Sequence, residues 1–161
     1  MSKEISAILD PRSVTVEIRG KRKSEIVREL VELLGRTGVV TDVEDVTREV
    51  LEREKLATTG IGNGIAIPHC LSAKVTGTAL AMGRRVPGAK FDAVDRQPVQ
   101  LFFLMVGLPD AHSEHLQLLS RLMRFMYDSD LKAGLLSAPT PEAMVALFRE
   151  RENRTRGRGG S

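Results

Sequence analysis

A single cysteine among 161 residues cannot build a disulfide framework, and three histidines without a Cys-x-x-Cys or His-Glu-x-x-His spacing offer no metal centre. Long apolar runs are also missing. The longest, Leu101 to Leu108, is far too short to span a bilayer, and the opening MSKEISAILD is mixed throughout, unlike a secretory leader. A cytoplasmic protein without membrane insertion is expected. No Gly-Lys-Ser or Gly-Lys-Thr follows a glycine-rich loop, which excludes a Walker loop, and no nucleophile-elbow motif supports a serine–histidine–aspartate triad. Strong charge of one sign is lacking too. The formal net charge is +3, and the excess sits in Arg149, Arg151, Arg154, Arg156 and Arg158, without aromatic residues to stack on bases, so no nucleic-acid partner is expected.

What is present fits one globular domain, with 42% hydrophobic and 28% charged residues. Ile26, Val27, Leu30, Val31, Leu33 and Leu34 recur at helical spacing behind a Ser24 cap. Thr41 and Glu44 read as a capping box for a helix carrying Val43, Val46, Val50 and Leu51. GIAIPH, VTGTALAMGR and VQLFFLMVGL read as strands, the last central and buried because it is apolar on both faces. Further helices are expected behind Ser113, over Asp128 to Leu136, and behind Thr140 with Pro141 at the first helical position. The pattern predicts an α/β fold, a mixed β-sheet sandwiched by helices, in one domain over residues 1–150. A basic, disordered tail is expected over 151–161.

The special residues converge on one stretch, GIGNGIAIPHC, where Gly60, Gly62 and Gly64 precede Pro68, His69 and Cys70. These glycines follow a helix and precede a strand, the reverse of a dinucleotide fingerprint. They allow either a loop whose backbone amides face an anion or a sharp turn. His69 ends the strand, His115 lies in the first turn of the helix after Ser113, and His112 precedes that cap.

EREKLATTGIGNGIAIPH together with FDAVDRQPVQLFFLMVGLPDAHSEHLQLLSRL resembles the type-2 IIA domains of the bacterial phosphoenolpyruvate-dependent phosphotransferase system, the mannitol and fructose class, and most of all their nitrogen-regulatory branch. The resemblance covers about Ile5 to Phe148. It implies that His69 accepts a phosphoryl group from the phosphohistidine of an HPr-like carrier, that His115 positions the phosphate, and that Arg53 lies near both. His112 takes no role from it. The family commonly has glycine where this chain has Cys70.

Transfer between imidazoles needs a neutral ring nitrogen and passes through a loose, metaphosphate-like state, so catalysis is positioning plus donors aimed at three equatorial oxygens. Backbone amides of Gly62, Asn63 and Gly64, and of the first turn at Ser113, are the expected phosphate ligands beside the side chains of His69, His115 and Arg53. No cofactor and no metal are expected. Cys70 reads as a small residue accepted at a permissive site or, where a phosphate-holding environment favours the thiolate, as a reactive thiol. The resemblance implies a phosphocarrier that signals to regulated target proteins through its phosphorylation state, or alternatively a relay to a sugar-specific IIB domain.

Overall fold

In the computed structural model, which describes residues 4–159, the apolar run from Val99 forms the central strand of a mixed sheet. The elements in chain order are α1 (Ile5–Ile8), β1 (Val14–Thr15), α2 (Lys23–Arg36), α3 (Val43–Leu56), β2 (Gly60–Gly62), β3 (Ile65–Ala66), β4 (His69–Leu71), β5 (Ala79–Ala89), β6 (Val99–Gly107), α4 (His112–Phe125), α5 (Ser129–Ser137) and α6 (Pro141–Gly159). The sheet order is β1-β5-β6-β3-β2, with β4 also paired to β6. Strand β6 runs antiparallel to β5 and parallel to β3 and β4. This is the helix-covered mixed sheet expected from the sequence.

Neighbouring side chains on a strand point to opposite faces. Leu101, Phe103 and Met105 therefore pack with Leu118, Leu122 and Phe148, while Phe102, Leu104 and Val106 pack with Leu30, Val46 and Val50. Both faces of β6 are thus core, which is why the run shows no alternation. Phe103 meets Phe148 edge-on with ring centroids 6.1 Å apart. Phe103→Ala is expected to lower the unfolding free energy by about 3–5 kcal/mol in denaturant melts. A loss below about 1 kcal/mol would mean that this face closes around the missing ring.

Several local expectations are corrected. The cap of α3 is Asp42, whose Oδ1 accepts the Asp45 N–H at 3.0 Å, while the Thr41 hydroxyl donates to the Lys74 carbonyl, so the Thr41–Glu44 box does not form. Helix α2 starts ahead of Ser24, with the Glu25 carboxylate accepting the Arg22 N–H at 2.9 Å. Ser113 is the second residue of α4 rather than its cap. Thr140 does cap α6, its hydroxyl accepting the Ala143 N–H. GIAIPH is two short strands, because Pro68 has no N–H to give the ladder.

The disordered tail expected from residue 151 is instead helical as far as Gly159; Gly160 and Ser161 lie outside the described residues. Glu152 within it is buried and accepts the Ile5 and Ser6 N–H groups at 2.6 and 2.9 Å, holding the first and last helices together. No helix among the described residues is long and apolar enough to cross a membrane.

Candidate active site

Strand β4 lies beside the end of β6, with His69 opposite Met105 and Leu71 opposite Gly107. The backbone on both sides of Pro68 is held: the Pro68 carbonyl accepts the Met105 N–H at 3.0 Å, and the Ile67 N–H donates to the Thr59 carbonyl at 2.9 Å. Nδ1 of His69 lies 2.8 Å from the Ile67 carbonyl oxygen. A carbonyl only accepts, so Nδ1 carries the ring proton and Nε2 keeps the lone pair. Burial is the main force lowering the pKa of His69 below its ordinary value. The Ile67 hydrogen bond opposes it, the Arg53 charge adds to it, and the Glu54 charge opposes it.

Past β6 the chain turns through Pro109–Ala111 into α4, whose first turn carries His112, Ser113 and His115. His115 is only 3% exposed, and the imidazole centroids of His69 and His115 are 5.6 Å apart at 54°. Gly107 makes the room, since a Cβ there would sit 3.3 Å from His115 Nδ1. Both ring nitrogens of His115 are buried without a hydrogen-bond partner among the described residues. Native interiors rarely leave such groups orphaned, and a catalytic role is one standard reason. Burial first, then the charges of His69 and His112, push its pKa down to about 4. The ring is therefore neutral at physiological pH.

Arg53, in the last turn of α3, completes the wall of a cavity of about 890 Å³ that His69, His112, His115, Lys55 and Leu56 also line. The fold thus brings His69, His115 and Arg53 together, as expected from the resemblance. It also adds His112, which had been given no role. Glu49 and Glu52 share this wall, and the signal for them was helical spacing: positions 49, 52, 53 and 56 fall on one face.

Gly62, Asn63 and Gly64 are not brought there. Ile65 pairs with Leu101 whereas His69 pairs with Met105, which separates the glycine turn from the histidine by roughly 13 Å along the sheet. The Asn63 N–H already donates to Asp95 Oδ2 at 3.0 Å, and Lys132 Nζ binds the Asn63 carbonyl. Gly62, Asn63 and Gly64 have φ of +93°, +58° and +78°, so the glycines build a left-handed hairpin turn. Of the two readings the sequence left open, the sharp turn is the one formed. Ser113 lies exposed in the first turn of α4, beside the cavity-lining His112.

Cys70 fits the first of its two readings, a small residue at a permissive site. Its backbone is an extended strand, so it does not need the left-handed angle of a glycine. It is buried, and burial followed by the Glu49 charge pushes the thiol up to about 12. Native Cys70 is therefore a protonated, buried thiol rather than a reactive thiolate. Iodoacetamide is expected to modify the native protein on the order of 10³-fold more slowly than the unfolded chain, read by mass spectrometry, since each unit of pKa removes tenfold of thiolate. Equal native and unfolded rates would contradict the burial.

The family model for the phosphoenolpyruvate-dependent sugar phosphotransferase system, EIIA 2, matches residues 7–151. The chain belongs to this family. This IIA domain is 32% identical over 149 residues to a nitrogen regulatory protein of Pseudomonas aeruginosa, covering 92% of this chain and 97% of the relative. It is 31% identical over 149 residues to the fructose-specific EIIABC component of Bacillus subtilis, covering 92% of this chain but spanning only 24% of that relative. Nitrogen regulatory protein IIA-Ntr from Neisseria meningitidis superposes with a TM-score of 0.83 at 30% identity, over 89% of this chain and 98% of that one. Mannitol IIA from Escherichia coli, at 22% identity, shares the fold with a TM-score of 0.75 over 87% and 98% of the two chains. Membership implies phosphoryl transfer in general terms.

Proposed function

We propose that Nε2 of His69 accepts a phosphoryl group from the phosphohistidine of an HPr-like carrier and that regulated target proteins read its phosphorylation state. The observation that carries this is the histidine pair: one imidazole locked as Nδ1–H beside a second whose nitrogens are buried and unpartnered. The donor's P–N bond breaks as the Nε2–P bond forms, and the donor imidazole leaves neutral. The His69 ring keeps its Nδ1 proton, and the charge it gains leans on the Ile67 carbonyl. Because the transition state is loose, the protein contributes mainly placement and charge. Neutral His115 supplies an N–H to a phosphoryl oxygen, Arg53 supplies positive charge, and the positive end of α4 around Ser113 adds its dipole.

Incubation with phosphoenolpyruvate, enzyme I and HPr, with the modified residue located by mass spectrometry, tests the assignment. A wild-type protein that stays unlabelled at His69 would overturn it. The fructose-specific relative favours a second reading, a relay to a sugar-specific IIB domain. Adding purified sugar-specific IIB domain to the labelled protein separates the two. Retention of the label supports the regulatory role, and rapid drainage supports the relay.

A further inference from the structure

We propose that Glu54 is a positioning residue that sets the orientation and tautomer of His69 through Thr59 and Ile67. Glu54 follows Arg53 in the last turn of α3 but points away from solvent, at 5% exposure. A carboxylate taken out of water is retained only where donors compensate it. Here Oε1 accepts the Thr59 N–H at 2.8 Å and lies 3.3 Å from Lys23 Nζ, while Oε2 accepts the Thr59 hydroxyl at 2.6 Å. One acid thus holds both donors of a single loop residue and ties down the connection between α3 and β2.

The chain of contacts continues to the histidine. The Thr59 carbonyl accepts the Ile67 N–H at 2.9 Å, and the Ile67 carbonyl accepts the His69 Nδ1–H at 2.8 Å. Two features make the Glu54 end of this chain matter. Strands β2 and β3 pair only briefly, Gly60 with Ala66 and Gly62 with Ile65, with a register shift between them, so their ladder holds little by itself. Residue 68 is proline, so the Thr59–Ile67 bond is the last link from that strand before His69. Releasing Thr59 therefore leaves Ile67 held only through its neighbours Ala66 and Pro68 on β6, and loosens the carbonyl that orients the ring. A hydrogen bond to one imidazole nitrogen decides which nitrogen keeps the lone pair, and groups behind a reacting ligand typically carry 10–100-fold in activity.

The consequence for rate rests on His69 being the phosphoryl acceptor; the tautomer does not. The test is the imidazole ¹⁵N spectrum of His69, together with its rate of phosphoryl uptake from HPr, in wild type, Glu54→Gln, Glu54→Ala and Thr59→Val. Wild type is expected to show a single Nδ1–H tautomer. Glu54→Gln keeps an acceptor for the Thr59 N–H and is expected to retain that tautomer and a near wild-type rate. Glu54→Ala is expected to give mixed tautomers and uptake slowed about 10–100-fold. Thr59→Val loses only the hydroxyl bond and is expected to fall between.

A folded Glu54→Ala protein with the wild-type tautomer and rate would overturn the proposal. If its amide spectrum shows an unfolded chain, Thr59→Val decides by the same two readouts. Wild type unlabelled at His69 would overturn the acceptor assignment alone, and the ¹⁵N spectra would still judge Glu54.

Discussion

His69→Ala is expected to stay folded and to carry no acid-labile, base-stable phosphoryl group after incubation with phosphoenolpyruvate, enzyme I and HPr. The other two histidines of the chain are placed differently: His115 is buried, and His112 is exposed at the first position of α4. His69 alone is half-buried, lines the cavity and has its Nδ1 proton committed to Ile67. Loss of the attacking nitrogen removes the step itself, so uptake should fall to background, a drop of at least about 10³-fold. Undiminished labelling of His69→Ala would sink the assignment.

The same geometry fixes the sign of the pH dependence. Because burial lowers the His69 pKa, Nε2 stays unprotonated to lower pH than in a free imidazole. With donor in excess, uptake should be flat above neutrality and begin to decline only below the ordinary histidine pKa of about 6.5. A decline that starts higher would mean that the ring is stabilised in its charged form.

The His69 stretch was legible because Pro-His directly after Ile-Ala-Ile is an unusual local sequence, and the apolar run from Val99 announced a strand buried on both faces. Length of pattern explains those successes. The edge strand Val14–Thr15 and the helix Ile5–Ile8 are too short for any period to show, and both depend on distant partners, Met82 and Gly83 for one and Glu152 for the other. The glycine turn was misplaced for a different reason. Three glycines announce unusual backbone angles, but nothing in their spacing says whether the amides face a ligand or the Asp95 side chain. His115 and Arg53 were assigned through family resemblance. The features that qualify them physically exist only after folding: Gly107, close by in the chain, leaves room for the His115 ring, and the shared wall of α3 and α4 joins Arg53 to His115 across 62 residues of sequence.

His115→Ala is expected to leave His69 able to accept phosphate but to slow uptake by about 10²- to 10³-fold, the usual cost of removing a donor aimed at charge that develops in the transition state. The wild-type ring has two buried nitrogens without partners among the described residues, so its hydrogen-bonding capacity is free for a phosphoryl oxygen. His115→Asn restores a side-chain donor and should recover part of the rate. An alanine variant as fast as wild type would leave the orphaned nitrogens unexplained and end the donor role. Stability gives an independent check with a definite sign. The folded His115 pKa of about 4 lies below the unfolded value of about 6.5. The unfolded chain therefore binds the proton first, and wild type loses stability as pH falls from about 6.5 to about 4. His115→Ala lacks that contribution, so its acid-sensitivity curve over this window should be flatter. Phosphorylating His69 places a dianion beside the ring and favours its charged form, so the His115 titration followed by NMR should move upward from about 4 in the phosphoprotein. A His115 titration unmoved by phosphorylation would mean that the phosphoryl group points away from it, and the donor assignment would fail on that measurement even if the rate had fallen.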